Sequence, residues 1–222
     1  MGEIEKYNNM LFDSVKIGDL DSAKKAIENG ADIHAKDDYA LRWASGNGHL
    51  DCVKYLVEQG ADIHALNDWT LGIATEEGHL EIVTYLVEHG ANIHANDDLA
   101  LREASSRGYF EMVRYFVENG ANIHAENDGA LRMASREGHN QVCHYLVSQG
   151  CDPQAVIDDN ANNYDIQESK QWAIDFMKAR DLTNKLTHDL TENSSKAGRL
   201  VASIDHDAHP PQKRGTSTKQ KI

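Results

Sequence analysis

Gly30-Ala-Asp-Ile-His-Ala35 returns as Gly60-Ala-Asp-Ile-His-Ala65, Gly90-Ala-Asn-Ile-His-Ala95 and Gly120-Ala-Asn-Ile-His-Ala125, and fades at Gly150-Cys-Asp-Pro-Gln-Ala155. Successive start points (60 − 30, 90 − 60, 120 − 90 and 150 − 120) all differ by 30 residues. A fixed period of this size marks a stacked repeat protein, in which each unit buries its apolar face against its neighbours instead of a central core. Other landmarks keep the same register. Leu11 falls in line with Leu41, Leu71, Leu101 and Leu131, and Gly18 with Gly48, Gly78, Gly108 and Gly138.

The second repeat shows how a unit is built. Asp38, with Asp68, Asp98 and Asp128 in register, stands where a helix should begin, and its carboxylate is expected to accept from a first-turn N–H. Leu41 and Ala44 are spaced i, i+3, as one face of a short helix requires. Gly48 ends that helix, because glycine enters the left-handed region at little cost. Val53, Leu56 and Val57 then mark a second helix, with Asp51 in its first turn, where the helix dipole favours an acid. Gly60 closes it, and Ile63 anchors the connection. The expected fold is all-α, a solenoid of helix-turn-helix repeats joined by short loops.

The ruler divides the chain. Residues 1–34 read as an N-terminal capping repeat, with Lys25-Ala26 where later units have Tyr-Leu, as a unit facing water on one side needs. Residues 35–154 hold four 30-residue repeats. Residues 155–180 are expected to cap the far end with Trp172, Ile174, Phe176 and Met177, completing an array over 1–180. Residues 181–222 are expected to be a mostly disordered tail, most clearly from Glu192, where too little apolar surface is left to fold alone. Leu182, Leu186 and Leu190 allow a brief continuation helix before that point.

The motifs Gly-His-Leu-Asp51, Gly-His-Leu-Glu81 and Glu81-Ile-Val-Thr-Tyr-Leu-Val-Glu-His-Gly-Ala91 resemble the ankyrin repeat over about residues 8–154. The family's usual unit is longer by three residues. Those missing here lie between Ala35 and Tyr39 and include the glycine that turns the family's hairpin finger. The Thr-Pro-Leu-His stretch of the family reads Tyr39-Ala-Leu-Arg42. A short loop is therefore expected in place of a β-hairpin. Arrays with this shorter unit resemble ankyrin proteins of large DNA viruses that infect amoebae. His49, His79 and His139 fall on the family's Gly-His position, which implies a local turn-stabilising role, and Tyr109 stands there in the fourth repeat.

Charge and composition exclude several functions. The net charge is −14; residues 181–222 carry seven Lys/Arg and five Asp/Glu, or +2, leaving −16 for residues 1–180. Such a body repels nucleic acid and anionic membrane. No apolar run is long enough to cross a bilayer. The three cysteines, Cys52, Cys143 and Cys151, are few. Cys52 and Cys143 lie on apolar helix positions three repeats apart, roughly 30 Å at the spacing of packed helices, beyond any disulfide. A reducing, cytoplasmic setting is expected, with the nucleus left open, and a monomer. Among the twelve histidines, His34, His64, His94 and His124 form a ladder. Its rungs, about 10 Å apart, are too far from one another to share a metal bound at about 2 Å. No metal and no cofactor is expected. Arg42, Arg102 and Arg132 could form a rail for an acidic ligand, but pairing with nearby acids such as Asp37 or Asp97 is favoured. No glycine-rich phosphate loop or nucleophile-and-base spacing points to an enzyme.

The positions that break the repeat carry the functional signal. One register reads Lys36, Leu66, Asn96, Glu126; a second reads Tyr39, Trp69, Leu99, Gly129; a third reads Trp43, Ile73, Glu103, Met133. Sites that vary between units of one chain are not the packing sites common to all. The resemblance implies that loop tips and first helices line a concave binding face. Lys36, Tyr39, Trp43, Leu66, Trp69, Asn96, Leu99, Glu103 and Glu126 are the candidate contacts for an unidentified protein partner. Tryptophan and tyrosine are the residue types that anchor such interfaces. Packing of Trp43 and Trp69 between first helices is the competing reading. A second functional class is a regulatory adaptor whose tail, Pro210 to Ile222 with Lys213-Arg214 and Lys219-Gln-Lys221, carries the signal.

Overall fold

The computed structural model describes residues 2–159 and 166–208. Twelve helices and no strand occur among them: α1 Glu3–Ile17, α2 Leu20–Glu28, α3 Ala35–Gly46, α4 Leu50–Glu58, α5 Ala65–Glu76, α6 Leu80–Glu88, α7 Ala95–Ser106, α8 Phe110–Glu118, α9 Ala125–Arg136, α10 Asn140–Gln149, α11 Gln154–Ile157 and α12 Ile166–Ala208. None of the described helices is long and apolar enough to cross a membrane. The chain divides into two compact units, Met1–Ile174 and Asp175–Ile222.

In the first unit the odd-numbered helices α1 to α9 stack one on the next, and α2, α4 and α6 follow one another beside them, as α8 and α10 do. The register explains the stack. Leu41, Ala44, Val53 and Leu56 and their counterparts thirty residues on are buried in every unit, with Phe116 taking the leucine place in the fourth. Burying each large side chain contributes about 1.5–3 kcal/mol. Cys52 takes the place of Ile82, Met112 and Val142, and Cys143 that of Val53, Val83 and Val113; all are buried. Burial pushes the Cys143 thiol up to about 12, so both cysteines behave as small apolar packing groups.

The connection that replaces a hairpin finger is a left-handed turn. Lys36, Asp37 and Asp38, and the same three positions in the next three repeats, have φ between 53° and 60°. Non-glycine residues pay about 1–2 kcal/mol each in this region, and Asn and Asp enter it most readily. The second and third positions read Asp37-Asp38, Asn67-Asp68, Asp97-Asp98 and Asn127-Asp128, which is the sequence's provision for the turn.

Two expectations about this turn are corrected. The Asp38 carboxylate does not serve its own helix. Its Oδ1 lies 3.1 Å from His34 Nδ1 and accepts the backbone N–H of Asp62, in the next repeat, at 2.8 Å. Asp68, Asp98 and Asp128 likewise accept from Asn92, Asn122 and Asp152 at 2.8, 2.8 and 3.0 Å, and Asn8 accepts from Asp32 at 2.7 Å. Nor do the arginines pair with the acids of the loops before their helices, such as Asp37 or Asp97. Arg42 donates from Nε to the Asp37 carbonyl at 3.1 Å and from Nη2 to the Lys36 carbonyl at 2.7 Å. The guanidinium thus ties down the two carbonyls of its own left-handed turn. Arg102 and Arg132 repeat the arrangement.

The Gly-His position is likewise a link between repeats, where a local role was expected. The Nε2 atoms of His49, His79 and His139 lie within 3.1 Å of the carbonyls of Lys16, Gly46 and Ser106, thirty-three residues earlier. In the first repeat Asp19 holds this register and caps α2 by accepting the Ser22 N–H at 3.0 Å. Each histidine ring also covers the glycine of the preceding unit. A Cβ at Gly48, whose φ is +80°, would stand 2.7 Å from His79 Cε1, while one at Gly60 (φ +96°) would meet nothing within 4 Å. Gly60→Ala should therefore cost backbone strain alone, about 1–2 kcal/mol, and Gly48→Ala clearly more in urea denaturation. Equal losses would show that the ring imposes nothing on the glycine.

The C-terminal end is closed by an acid as well as by apolar residues. Asp159 is buried and bridges Arg136 Nε at 2.8 Å and Arg132 Nη1 at 3.4 Å. In α12, Ala173 is buried and the Trp172 ring stands edge-on to His144 at 5.7 Å. In the second unit α12 continues helical to Ala208. Its side chains from 181 to 197 are exposed, Leu182, Leu186 and Leu190 among them. The Pro210 to Ile222 segment lies outside the described residues.

Candidate protein-interaction surface

Lys36, Leu66, Asn96 and Glu126 occupy the first position of each left-handed turn and are exposed. Trp43 and Trp69, on α3 and α5, are 41% and 48% exposed, while Tyr39, Leu99 and Glu103 are half-buried. The structure does not treat these nine residues alike. Tyr39 packs edge-on against Phe12 at 4.8 Å and leans on Trp43 at 5.6 Å. Lys16 stands 5.0 Å from the centre of the Trp43 ring, and Lys36 lies over Phe12 and Tyr39. Tyr39 and Lys36 are thus partly engaged in seating α1 on α3.

Two depressions run between consecutive first helices. The groove between α3 and α5, of about 570 Å³, is lined by Tyr39, Arg42, Trp43, Trp69, Ile73 and the carboxylates of Glu76 and Glu77, among others. A tighter cavity of about 120 Å³ between α5 and α7 is lined by Trp69, Leu99, Asn96 and Glu103 together with Gly72, Ile73 and Glu76. Six of the nine candidates therefore meet at these two depressions, with Trp69 shared by both. Lys36, Leu66 and Glu126 line neither. Gly72, Ile73, Glu76 and Glu77 were not among the candidates. The signal for them was Gly72, the one break in the arginine register. Arg107 holds Glu76 at 2.7 Å across the α5–α7 boundary.

The ladder histidines each face their own aspartate, with half-exposed rings. At the fourth rung a thiol joins. The ligand atoms of His124, Asp128 and Cys151 all lie within 4.8 Å of one another. Treating the rungs singly misses this group, which arises because Cys151 stands where the earlier repeats have alanine. Such a set could in principle offer a metal three donors. The groups already satisfy one another, however. Asp128 faces His124 at 2.6 Å and accepts from the Asp152 N–H, and the Cys151 thiol points at the Ile123 carbonyl at 3.5 Å. Burial first, then the Asp128 charge, pushes that thiol well above the ordinary range.

The fold and this surface define a helical repeat protein that presents variable side chains on an invariant stack. Its sequence matches the family of ankyrin repeats (3 copies) over residues 11–97 and 96–157. The chain belongs to the ankyrin-repeat family. A search of curated proteins gives no match.

Proposed function

We propose that this chain is a non-enzymatic interaction module that binds a protein partner on the concave face made by its first helices and the turns before them. The observation that carries this reading is the exposure of Trp43 and Trp69 in consecutive repeats, on either side of one groove. Large aromatics left half in water on a rigid scaffold lose little further entropy on binding and anchor interfaces. Membership of a family whose repeats generally serve protein–protein contact supports it. The 30-residue unit suggests a likeness to arrays of viruses that infect amoebae, and with it a host protein as partner.

Trp69→Ala is the test. Binding should weaken by about 2 kcal/mol or more, roughly thirtyfold, while unfolding shifts by less than about 1 kcal/mol. If Trp69→Ala melts far below the parent protein instead, the ring is a packing group and the face is misassigned. The rival reading, in which the tail from Pro210 to Ile222 carries the signal, makes the opposite prediction: deleting the tail would abolish partner capture, and Trp69→Ala would leave it intact.

A further inference from the structure

Three of the four internal repeats fill the space beside their left-handed turn with an arginine, and one does not. Arg42, Arg102 and Arg132 each span two turn carbonyls, at 2.7–3.1, 3.0–3.2 and 2.8–3.1 Å. The stem also leans onto the following repeat, since a Cβ at Gly129 would stand 3.0 Å from Arg102 Cδ. In α5 the register holds Gly72, where a Cβ would meet nothing within 4 Å. The carbonyls of Leu66 and Asn67 therefore lack the guanidinium that their counterparts have, and the following repeat presents Leu99 toward a gap.

That gap is the cavity between α5 and α7. Its lining includes the buried Leu71 and Ala100, whereas the groove between α3 and α5, walled by Arg42, is lined by no buried residue. Trp69, Ile73 and Leu99 give it apolar sides and Glu103 supplies an acid, whereas Glu76 is held by Arg107 and Asp68 by His64 and the Asn92 N–H. We propose that this cavity takes an arginine side chain of the protein partner, which supplies in trans the group that the repeat lacks. The stem lies between Trp69 and Leu99, in the space Gly72 leaves open, and the guanidinium extends past the lining residues to the Leu66 and Asn67 carbonyls, as Arg42 does to those of its own turn. Three features favour this occupant over others. The other repeats show that the turn accepts a guanidinium, the Glu103 carboxylate complements its charge, and the Trp69 face attracts a cation. A lysine offers a single compact charge that cannot fork across two carbonyls, and an apolar side chain leaves Glu103 unanswered. The inference rests on the reading of this face as the partner-binding surface.

Short acetylated, amidated Gly-Ser peptides with arginine, lysine, norleucine or glutamate at the centre serve as probes, followed through the indole N–H of Trp69 by NMR. The arginine peptide should bind about tenfold or more tightly than the norleucine one, as charge-assisted hydrogen bonds require. Gly72→Arg refills the gap with the chain's own arginine, so it should abolish the preference without loss of stability, since removing a mid-helix glycine itself favours the helix. Glu103→Gln, which leaves the cavity open, should weaken the arginine probe and spare the norleucine one. Equal binding of arginine and lysine, or an arginine preference that survives Gly72→Arg, would reduce the effect to general attraction by an acidic surface and overturn the proposal. The same variants separate the two readings once a partner is captured. A partner lost with Trp69→Ala but kept with Gly72→Arg retains the face and removes the arginine pocket; a partner kept with both removes the face itself.

Discussion

Leu86→Ala should lower the free energy of unfolding by about 2–5 kcal/mol, the range for deleting a fully buried leucine and leaving a cavity. Leu86 has no exposed surface and sits in α6, in register with Leu56, Phe116 and Leu146. Its position in the middle of the array makes the loss felt on two sides. In a stacked protein, stability is the sum of each unit's own contribution and its interfaces with the units beside it. A void in a central second helix weakens its own unit and the contacts made with both neighbours. Urea denaturation followed by circular dichroism measures it. A loss below about 1 kcal/mol would mean that the second-helix layer collapses around the void, and that stacking is looser than the register implies.

Asp98→Ala should cost about 2–4 kcal/mol, for two separable reasons. The carboxylate faces His94 at 3.0 Å and accepts the backbone N–H of Asn122 at 2.8 Å, so alanine leaves a backbone donor of the next repeat without its partner. A buried group left without a partner costs about 1–3 kcal/mol. Asp98 also has φ +55°, where aspartate is tolerated and alanine pays about 1–2 kcal/mol. Asp98→Asn keeps an oxygen acceptor and the tolerance for this backbone, so it should recover most of the loss. If asparagine proves as damaging as alanine, the negative charge itself, and not the acceptor or the turn, holds the two repeats together.

The helices and their buried faces were legible because one period forces the same apolar positions to recur, and Leu41, Ala44 and Leu56 can be read without knowing what they touch. The roles of Asp38, Arg42 and His49 were not. Each stands at a recognisable position, but its hydrogen-bonding partner is a backbone group 24 or 33 residues away or a carbonyl of a left-handed turn, and spacing alone gives neither direction nor backbone conformation. Asp38 therefore read as a helix cap, although among the described caps it is Asp19, in the first repeat, whose side chain accepts from its own helix. The exposed tryptophans were visible as departures from the repeat. Gly72 was visible too, as an exception among arginines, but the cavity it opens depends on Leu99 one unit later. The extent of α12 was hidden for the opposite reason: side chains exposed from 181 to 197 leave only a faint apolar pattern.

The aspartate of each turn reaches forward to the next repeat in all four internal units, and His49, His79 and His139 reach back to the repeat before, with Tyr109 standing in that place in the fourth repeat. Every internal unit thus carries the same forward plug. Units that share this coupling are interchangeable parts. A stretch of thirty residues can be duplicated, excised or reordered at the level of the gene, and each new junction would re-form the same forward bond without orphaning a donor. The forward couplings stay constant while the residues at 36, 39 and 43 and their counterparts change freely. New binding surfaces can therefore be assembled by shuffling whole units, with no need to redesign the stack that holds them.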